Sequence, residues 1–363
     1  MNTEKILAIC LSPDQGGLEL YFIKLIKYYK MLGRNIHVGC ARKSYITQSV
    51  TDSKIECHTV GAFRLIKNFI LLRKYILSKN IEYLHVSWAK DIFLAVLLKI
   101  FTPGNIKIIF YRQMKLSRSK KDFYHKFVYK NIDLFLVITD KLKLEAKKYL
   151  PVPSNRIKKL TYGIKIPPSS TIKDKVKFFS KHGLNENIPT IGIFSRIEEQ
   201  KGQHLVLDAI NQDSHNIQLC IIGHTMDYEY KKRLSKDAAD YNLINKLRFI
   251  DFVDSPMSYM PCFDIIILPT YEETFGLIVA EAMLMKVAVI GSNAGGVPEI
   301  ISNRENGLLF ETKNAKDLSE KINILLNDSV LRNNLILNGF NYANNEYAYD
   351  AHFDKLEKMI DSI

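Results

Sequence analysis

The chain has 363 residues, too many for one ordinary core and comfortable for two domains of roughly 150–200 residues. With 47% hydrophobic and 25% charged residues it has the balance of a globular protein, and no apolar run reaches the roughly 18 uninterrupted residues of a membrane span. The net charge of +13 is uneven: residues 1–165 hold 31 Lys/Arg and 11 Asp/Glu, residues 166–363 hold 20 and 27, so two halves of opposite sign imply different partners.

In chain order, MNTEKILAICLSPD has one lysine and a short apolar run ending at Ser12-Pro13, which reads as a first strand (Lys5–Ser12) and not a secretory leader. A helix follows from about Gly17 to Gly33, then a strand at Asn35–Arg42 and a helix from about Ala62 to Ser78. Strands at Tyr83–Ser87, Lys107–Gln113 and Leu134–Thr139 each lead into a helix, and Lys159–Gly163 closes the half. This βαβα rhythm predicts a parallel sheet covered by helices. Basic density peaks in RQMKLSRSKKDFYHKFVYK, Arg112–Lys130, where seven Lys/Arg share the segment with Phe123, Tyr124, Phe127 and Tyr129. It suits a solvated helix face, an anionic membrane surface or an acidic acceptor; nucleic acid is not favoured, because no helix-turn-helix, zinc or RNP-type motif accompanies the charge.

The rhythm restarts after a polar break, with the domain linker expected near 164–172 and a helix before Ile188. TIGIFS, IQLCIIG, KLRFIDFV, DIIILPT, VAVIGS and GLLF then read as strands, and the last helix spans roughly Tyr347–Ile360. The expected domains are 1–165, 166–346 and a terminal helix at 347–363. The five cysteines, Cys10, Cys40, Cys57, Cys220 and Cys262, show no CxxC spacing and read as reduced thiols of a cytoplasmic protein.

In two doubly wound α/β domains facing a cleft, ligands bind beyond the carboxyl ends of the strands, and four strand-to-helix loops are unusual. Gly16 and Gly17 follow the first strand without completing GxGxxG; a plain turn and a ligand site are equally open. FSRIEEQKG places Arg196 and Lys201 before a helix, two cations suited to a diphosphate. PTYEETFGLIVAEAML sets Glu273 before a helix and Glu281 eight residues on, carboxylates suited to sugar and ribose hydroxyls, with the backbone N–H groups of Thr274, Phe275 and Gly276 left for phosphate. SNAGGVPEI reads as a turn, with Glu299 capping locally.

The Glu273-x7-Glu281 spacing, with RIEEQKG, IIGH, ETFGLIVAEAM, VIGSNAGGVPEII and NGLLFE in order, resembles the retaining glycosyltransferases of family 4 with the GT-B fold. GGLEL near the start and TYGI at 161–164 fit too. The resemblance implies that Glu281 binds the nucleotide ribose, Glu273 the donor sugar, and Arg196 and Lys201 the diphosphate. It also implies that Gly16, Gly17 and Gly223 approach the donor, and that Thr274, Phe275 and Gly276 line its phosphate and sugar site. No cofactor and no metal is implied, and no Asp-x-Asp is found. The reaction implied is retaining transfer from a nucleotide-diphosphate sugar to a glycolipid or lipid-linked acceptor of lipopolysaccharide, O-antigen or capsule synthesis, on the inner-membrane surface. Where many relatives carry a His, this chain has Arg112 and Gln113; His85 and Arg112 are possible acceptor or sugar contacts, with a half-buried histidine the plain alternative for His85. A nucleotide-sugar epimerase and a non-catalytic nucleotide-sugar-binding protein are the competing readings. The epimerase needs acids and a His that are not identifiable. The binding protein would have lost one of Glu273, Glu281, Arg196 or Lys201, and all four are present.

Overall fold

Strand runs such as KILAIC and TIGIF are apolar at nearly every position, as expected where helices cover both faces of a parallel sheet. The computed structural model describes residues 5–53, 55–61, 64–114, 116, 118–167, 172–212 and 215–363. Ala62, Lys115 and residues 168–171 of the expected linker lie outside them.

The first unit comprises Met1–Thr161 and Phe353–Ile363. Its elements are β1 (Lys5–Cys10), α1 (Gly17–Met31), β2 (Asn35–Ala41), α2 (Tyr45–Asp52), β3 (Cys57–Val60), α3 (Leu65–Lys79), β4 (Tyr83–Val86), α4 (Ile92–Phe101), β5 (Lys107–Arg112), α5 (Phe123–Lys130), β6 (Leu134–Val137), α6 (Asp140–Tyr149) and β7 (Ile157–Lys159). The strands form one parallel sheet in the order β3-β2-β1-β4-β5-β6-β7.

The second unit is Tyr162–His352. It contains α7 (Ile172–His182), β8 (Thr190–Phe194), α8 (Gln203–Asn211), β9 (Gln218–Ile222), α9 (Tyr228–Asp240), β10 (Leu247–Ile250), α10 (Pro256–Tyr259), β11 (Ile265–Leu268), α11 (Leu277–Leu284), β12 (Ala288–Ser292), β13 (Leu308–Phe310), α12 (Ala315–Asn327) and α13 (Ser329–Tyr347). Its parallel sheet runs β10-β9-β8-β11-β12-β13. Ile191, Ile193, Ile265, Ile267 and Ile290 are buried in its core, each contributing roughly 1.5–3 kcal/mol. Both units are doubly wound, as the sequence predicts. The last helix, α14 (Tyr349–Ile360), starts in the second unit and from Phe353 onward belongs to the first. There Phe353 stacks on Tyr28 with ring centroids 3.7 Å apart, and Glu357 pairs with Arg34.

Two elements escape the sequence reading, α2 and β3. The stretch SYITQSVTDSKIECHTV is too polar to show a clear period, and β3 is a four-residue edge strand that needs no continuous apolar run. One expectation is corrected with them. Cys40 and Cys57 form a disulfide between β2 and β3; without β3 in view, nothing brings these two sulfurs together. Cys10, Cys220 and Cys262 are buried and outside any disulfide. No helix among the described residues is long and apolar enough to cross a membrane.

Candidate active site

In the second sheet, strand order reverses between β8 and β11, which opens a crevice at their carboxyl ends. The loop after β8 carries Arg196 and Lys201; the loop after β11 carries Glu273. Lys201 Nζ donates to Glu273 Oε2 at 3.1 Å, spanning the crevice, and both side chains are largely buried. Arg196 pairs with Glu198 at 2.9 Å, but its side chain is 57% exposed. An exposed pair of this kind contributes only about 0–1 kcal/mol, so the guanidinium can be handed to a ligand at little cost. Gln203 holds the Arg196 loop by donating to Ser195 Oγ and Arg196 O.

Backbone contacts fix the Glu273 loop from two sides. Tyr271 N–H and the Thr270 hydroxyl both donate to Gln200 O, joining the two loops directly. Gly296 N–H donates to Glu273 O at 2.9 Å, while Gly295 has φ +61° and passes so close that an added Cβ would lie 1.9 Å from Glu273 O. Only glycine permits that approach. The SNAGGVPEI turn therefore shapes the site through the backbone of Glu273. Gly202 and Gly223 serve the same end: an added Cβ would lie 2.2 Å from Pro269 O and from Ser195 O respectively.

Gly276, at φ +94°, ends the loop and begins α11, without a side-chain cap. Phe275 is buried with its ring edge-on to Tyr162. The expectation that Thr274 N–H stays open for phosphate is corrected, because it donates to Glu273 Oε1 at 3.1 Å. Glu281 lies three residues after Ile278, on the same face of α11. Ile278 lines a cavity of about 360 Å³ together with Arg196, Gly223, His224, Phe252 and Val253. His224 and Phe252 stack face to face, 4.6 Å between centroids and 6° between planes. Neither ring stands out by residue type in the sequence, although both follow strand ends (IIGH and FIDFV), the carboxyl edge where ligands of open α/β sheets bind.

In the first sheet, order reverses between β1 and β4. Gly16 is the N-cap of α1 in extended conformation, and an added Cβ on Gly17 would meet nothing within 4 Å. Asp91 bridges the reversal by accepting from Leu11 N–H at 2.8 Å; burial pushes its carboxyl up to about 7. His85, read from the sequence as a possible acceptor or sugar contact or as a half-buried histidine, is fully buried: β4 is central, its side chains go into the helix layers, and His85 lies beside the Tyr29 hydroxyl at 3.5 Å. Arg112 donates from Nε to Met114 O, and desolvation lowers its pKa. The structure thus gathers Arg196, Lys201, Gly223, Glu273, Thr274, Phe275, Gly276 and Glu281 at one edge of the second unit, while Gly16, Gly17, His85 and Arg112 lie in the first.

Residues 174–342 match the family described as "Glycosyl transferases group 1". This part of the chain is a group 1 glycosyltransferase domain. The chain is 30% identical over 182 residues, 48% of its length and 46% of the relative's, to a capsular polysaccharide biosynthesis glycosyltransferase, CapM, of Staphylococcus aureus. It is 46% identical over 89 residues, 24% of its length and 23% of the relative's, to an N,N'-diacetylbacillosaminyl-diphospho-undecaprenol alpha-1,3-N-acetylgalactosaminyltransferase of Campylobacter jejuni. Each match spans about half or less of these curated relatives. Among solved structures, Anabaena HepE in complex with UDP superposes with TM-score 0.84 at 18% identity, covering 99% of this chain and 100% of HepE, a likeness of fold. Every residue of the glycosyltransferase domain that the sequence singles out lies within the matched segment.

Proposed function

We propose that this protein is a retaining glycosyltransferase that moves a sugar from a nucleoside-diphosphate sugar to a lipid-linked acceptor during assembly of a cell-surface polysaccharide. One observation carries the reading: Lys201 and the Glu273 carboxylate meet 3.1 Å apart at the switch point of the second sheet, beside an apolar cavity with Arg196 in its wall. The cavity takes the nucleobase and Glu281 the ribose hydroxyls. Arg196 and Lys201 hold the diphosphate and offset the charge that grows on it as the sugar departs, with the positive end of α11 adding to them. Glu273 orients the sugar through its hydroxyls and positions Lys201.

Retention follows if the leaving phosphate takes the proton of the acceptor hydroxyl on the face it departs from, so that the new C–O bond forms where the old one broke. No side chain then needs to act as base, and two cations take the charge that a divalent ion carries in other transferases. The named activities of the Staphylococcus and Campylobacter relatives support a polysaccharide pathway and a lipid-diphosphate acceptor. The basic first unit supports a place on an anionic membrane surface. Thermal-shift titration with UDP-, GDP-, ADP- and CMP-sugars, followed by NMR of the anomeric product, tests the reading. Stabilisation by one donor and a retained anomer are expected. Stabilisation by none, an inverted product, or activity lost to EDTA and restored by manganese would overturn it.

A further inference from the structure

Helices α3, α4 and α5 lie side by side on one face of the first sheet. Phe69 meets Phe101 edge-on at 6.2 Å, Arg73 Nε donates to Phe101 O, and Phe93 packs on Tyr124. Their 33 residues contain no Asp or Glu and seven Lys/Arg. An ordinary solvated helix face mixes both signs and hides its aliphatic side chains. Here Ile66 is 76% exposed, and Ile70, Leu71, Ile100 and Phe101 are exposed with it. Single exposed aliphatics are common, whereas a cluster with one sign of charge marks a contact surface.

The cluster surrounds a groove of about 540 Å³ lined by Phe69, Ile70, Arg73, Lys74, Leu97 and Phe101. Lys79 and Lys99 have carboxylate partners in Glu56 and Asp133. Lys67, Arg73 and Lys74 have none among the described residues. Arg73 and Lys74 thus stand on long stems over an apolar floor of Phe69, Ile70, Leu97 and Phe101, and Lys67 lies three residues before Ile70 on the same helix. That is the chemistry of an interface between acyl chains and anionic headgroups, where the stems lie along apolar surface and the charges reach phosphate. A second copy fits poorly, since a self-complementary dimer would set cations against cations. Nucleic acid leaves Ile66, Ile70 and Phe101 without a role.

We propose that the α3–α4 face is the surface by which this protein lies on an anionic phospholipid bilayer, with Ile66, Ile70 and Phe101 at the acyl boundary and Lys67, Arg73 and Lys74 on headgroup phosphates. This deepens the lipid-linked acceptor reading and rests on it for its purpose. It also moves the principal contact away from Arg112–Lys130, which the sequence leaves open between a solvated helix face and a contact surface; α5 contributes Lys126, Lys130 and Phe123 at the margin of the same layer.

Co-sedimentation of the full chain with vesicles of phosphatidylcholine, alone or with about one third phosphatidylglycerol, tests the proposal. Wild type should bind only the anionic vesicles. Lys67→Ser/Lys74→Ser should weaken partition roughly 25-fold, at about fivefold per basic residue. Ile66→Ser/Ile70→Ser should weaken it at least tenfold, and Lys232→Ser/Lys236→Ser in the second unit should leave it unchanged. Wild-type partition by both α3 variants, or no binding by wild type, would overturn the proposal. So would a dimer broken by Ile66→Ser/Ile70→Ser, or RNA retention without vesicle binding. Donor stabilisation measured on the same variants separates the two readings: if wild type binds vesicles but no sugar nucleotide, the transferase assignment fails and the docking surface stands.

Discussion

Gly295→Ala isolates the contact that shapes the site. Gly183 and Gly295 share nearly the same backbone conformation, φ +62° and +61°, and both belong to the second unit. At Gly183 an added Cβ meets only the Arg248 guanidinium, at 3.7 Å; at Gly295 it lies 1.9 Å from Glu273 O and 2.7 Å from Glu273 N. Gly183→Ala therefore carries only the left-handed conformation, about 1–2 kcal/mol. Gly295→Ala carries the same amount and must also drive two backbone segments apart by more than an ångström. That breaks the Gly296 N–H bond to Glu273 O, adding about 1 kcal/mol, with repacking strain of about 1–3 kcal/mol beyond it. Urea unfolding should place Gly295→Ala roughly 2–4 kcal/mol below Gly183→Ala. Because Glu273 moves with its carbonyl, donor stabilisation in a thermal-shift titration should vanish in Gly295→Ala and persist in Gly183→Ala. Equal stabilities with equal donor binding would show that the Gly-Gly turn does not hold Glu273.

Other expectations concern single side chains. Glu281→Ala should weaken nucleotide affinity roughly 10- to 100-fold by calorimetry, as for loss of a charged hydrogen bond. Lys201→Ala should instead lower kcat by about 10²–10³ with a smaller change in KM; a pure KM effect would remove Lys201 from charge stabilisation. His224→Ala should cost a nucleoside diphosphate about 1–3 kcal/mol of affinity if the base stacks there, and no change would place the base elsewhere. The Asp91 carboxyl holds its proton to about pH 7 when folded, whereas an unfolded Asp releases it near 3.8. Wild type should thus lose stability as pH rises from about 4 to 7, by at most roughly 4 kcal/mol. Asp91→Asn should gain on wild type above pH 7 and converge with it near pH 4; parallel pH curves in thermal unfolding would contradict the buried charge.

Much of the fold is legible because buried parallel strands leave near-continuous apolar runs, and DIIILPT and VAVIGS lead to the observed strands within a residue or two. Glu273 and Glu281 are legible for a related reason, since acids stand out in such surroundings. The edge strand β3 is not: a strand paired on one side can be polar, and with it the Cys40–Cys57 pairing goes unseen. His85 misleads because a strand-end position predicts exposure only when the sheet face is open, and β4 is covered on both faces. The grip of Gly295 on Glu273 joins residues that are remote in the chain pattern, and a pair of glycines alone does not reveal what passes beside it.

The split allegiance of α14 affects how the protein comes into being. Phe353 and Glu357, which close over Tyr28 and Arg34, leave the ribosome only after the whole glycosyltransferase domain. The half that is translated first is therefore the half completed last, and residues 1–161 expressed alone would leave the Tyr28 ring of α1 and the Arg34 guanidinium just beyond that helix uncovered.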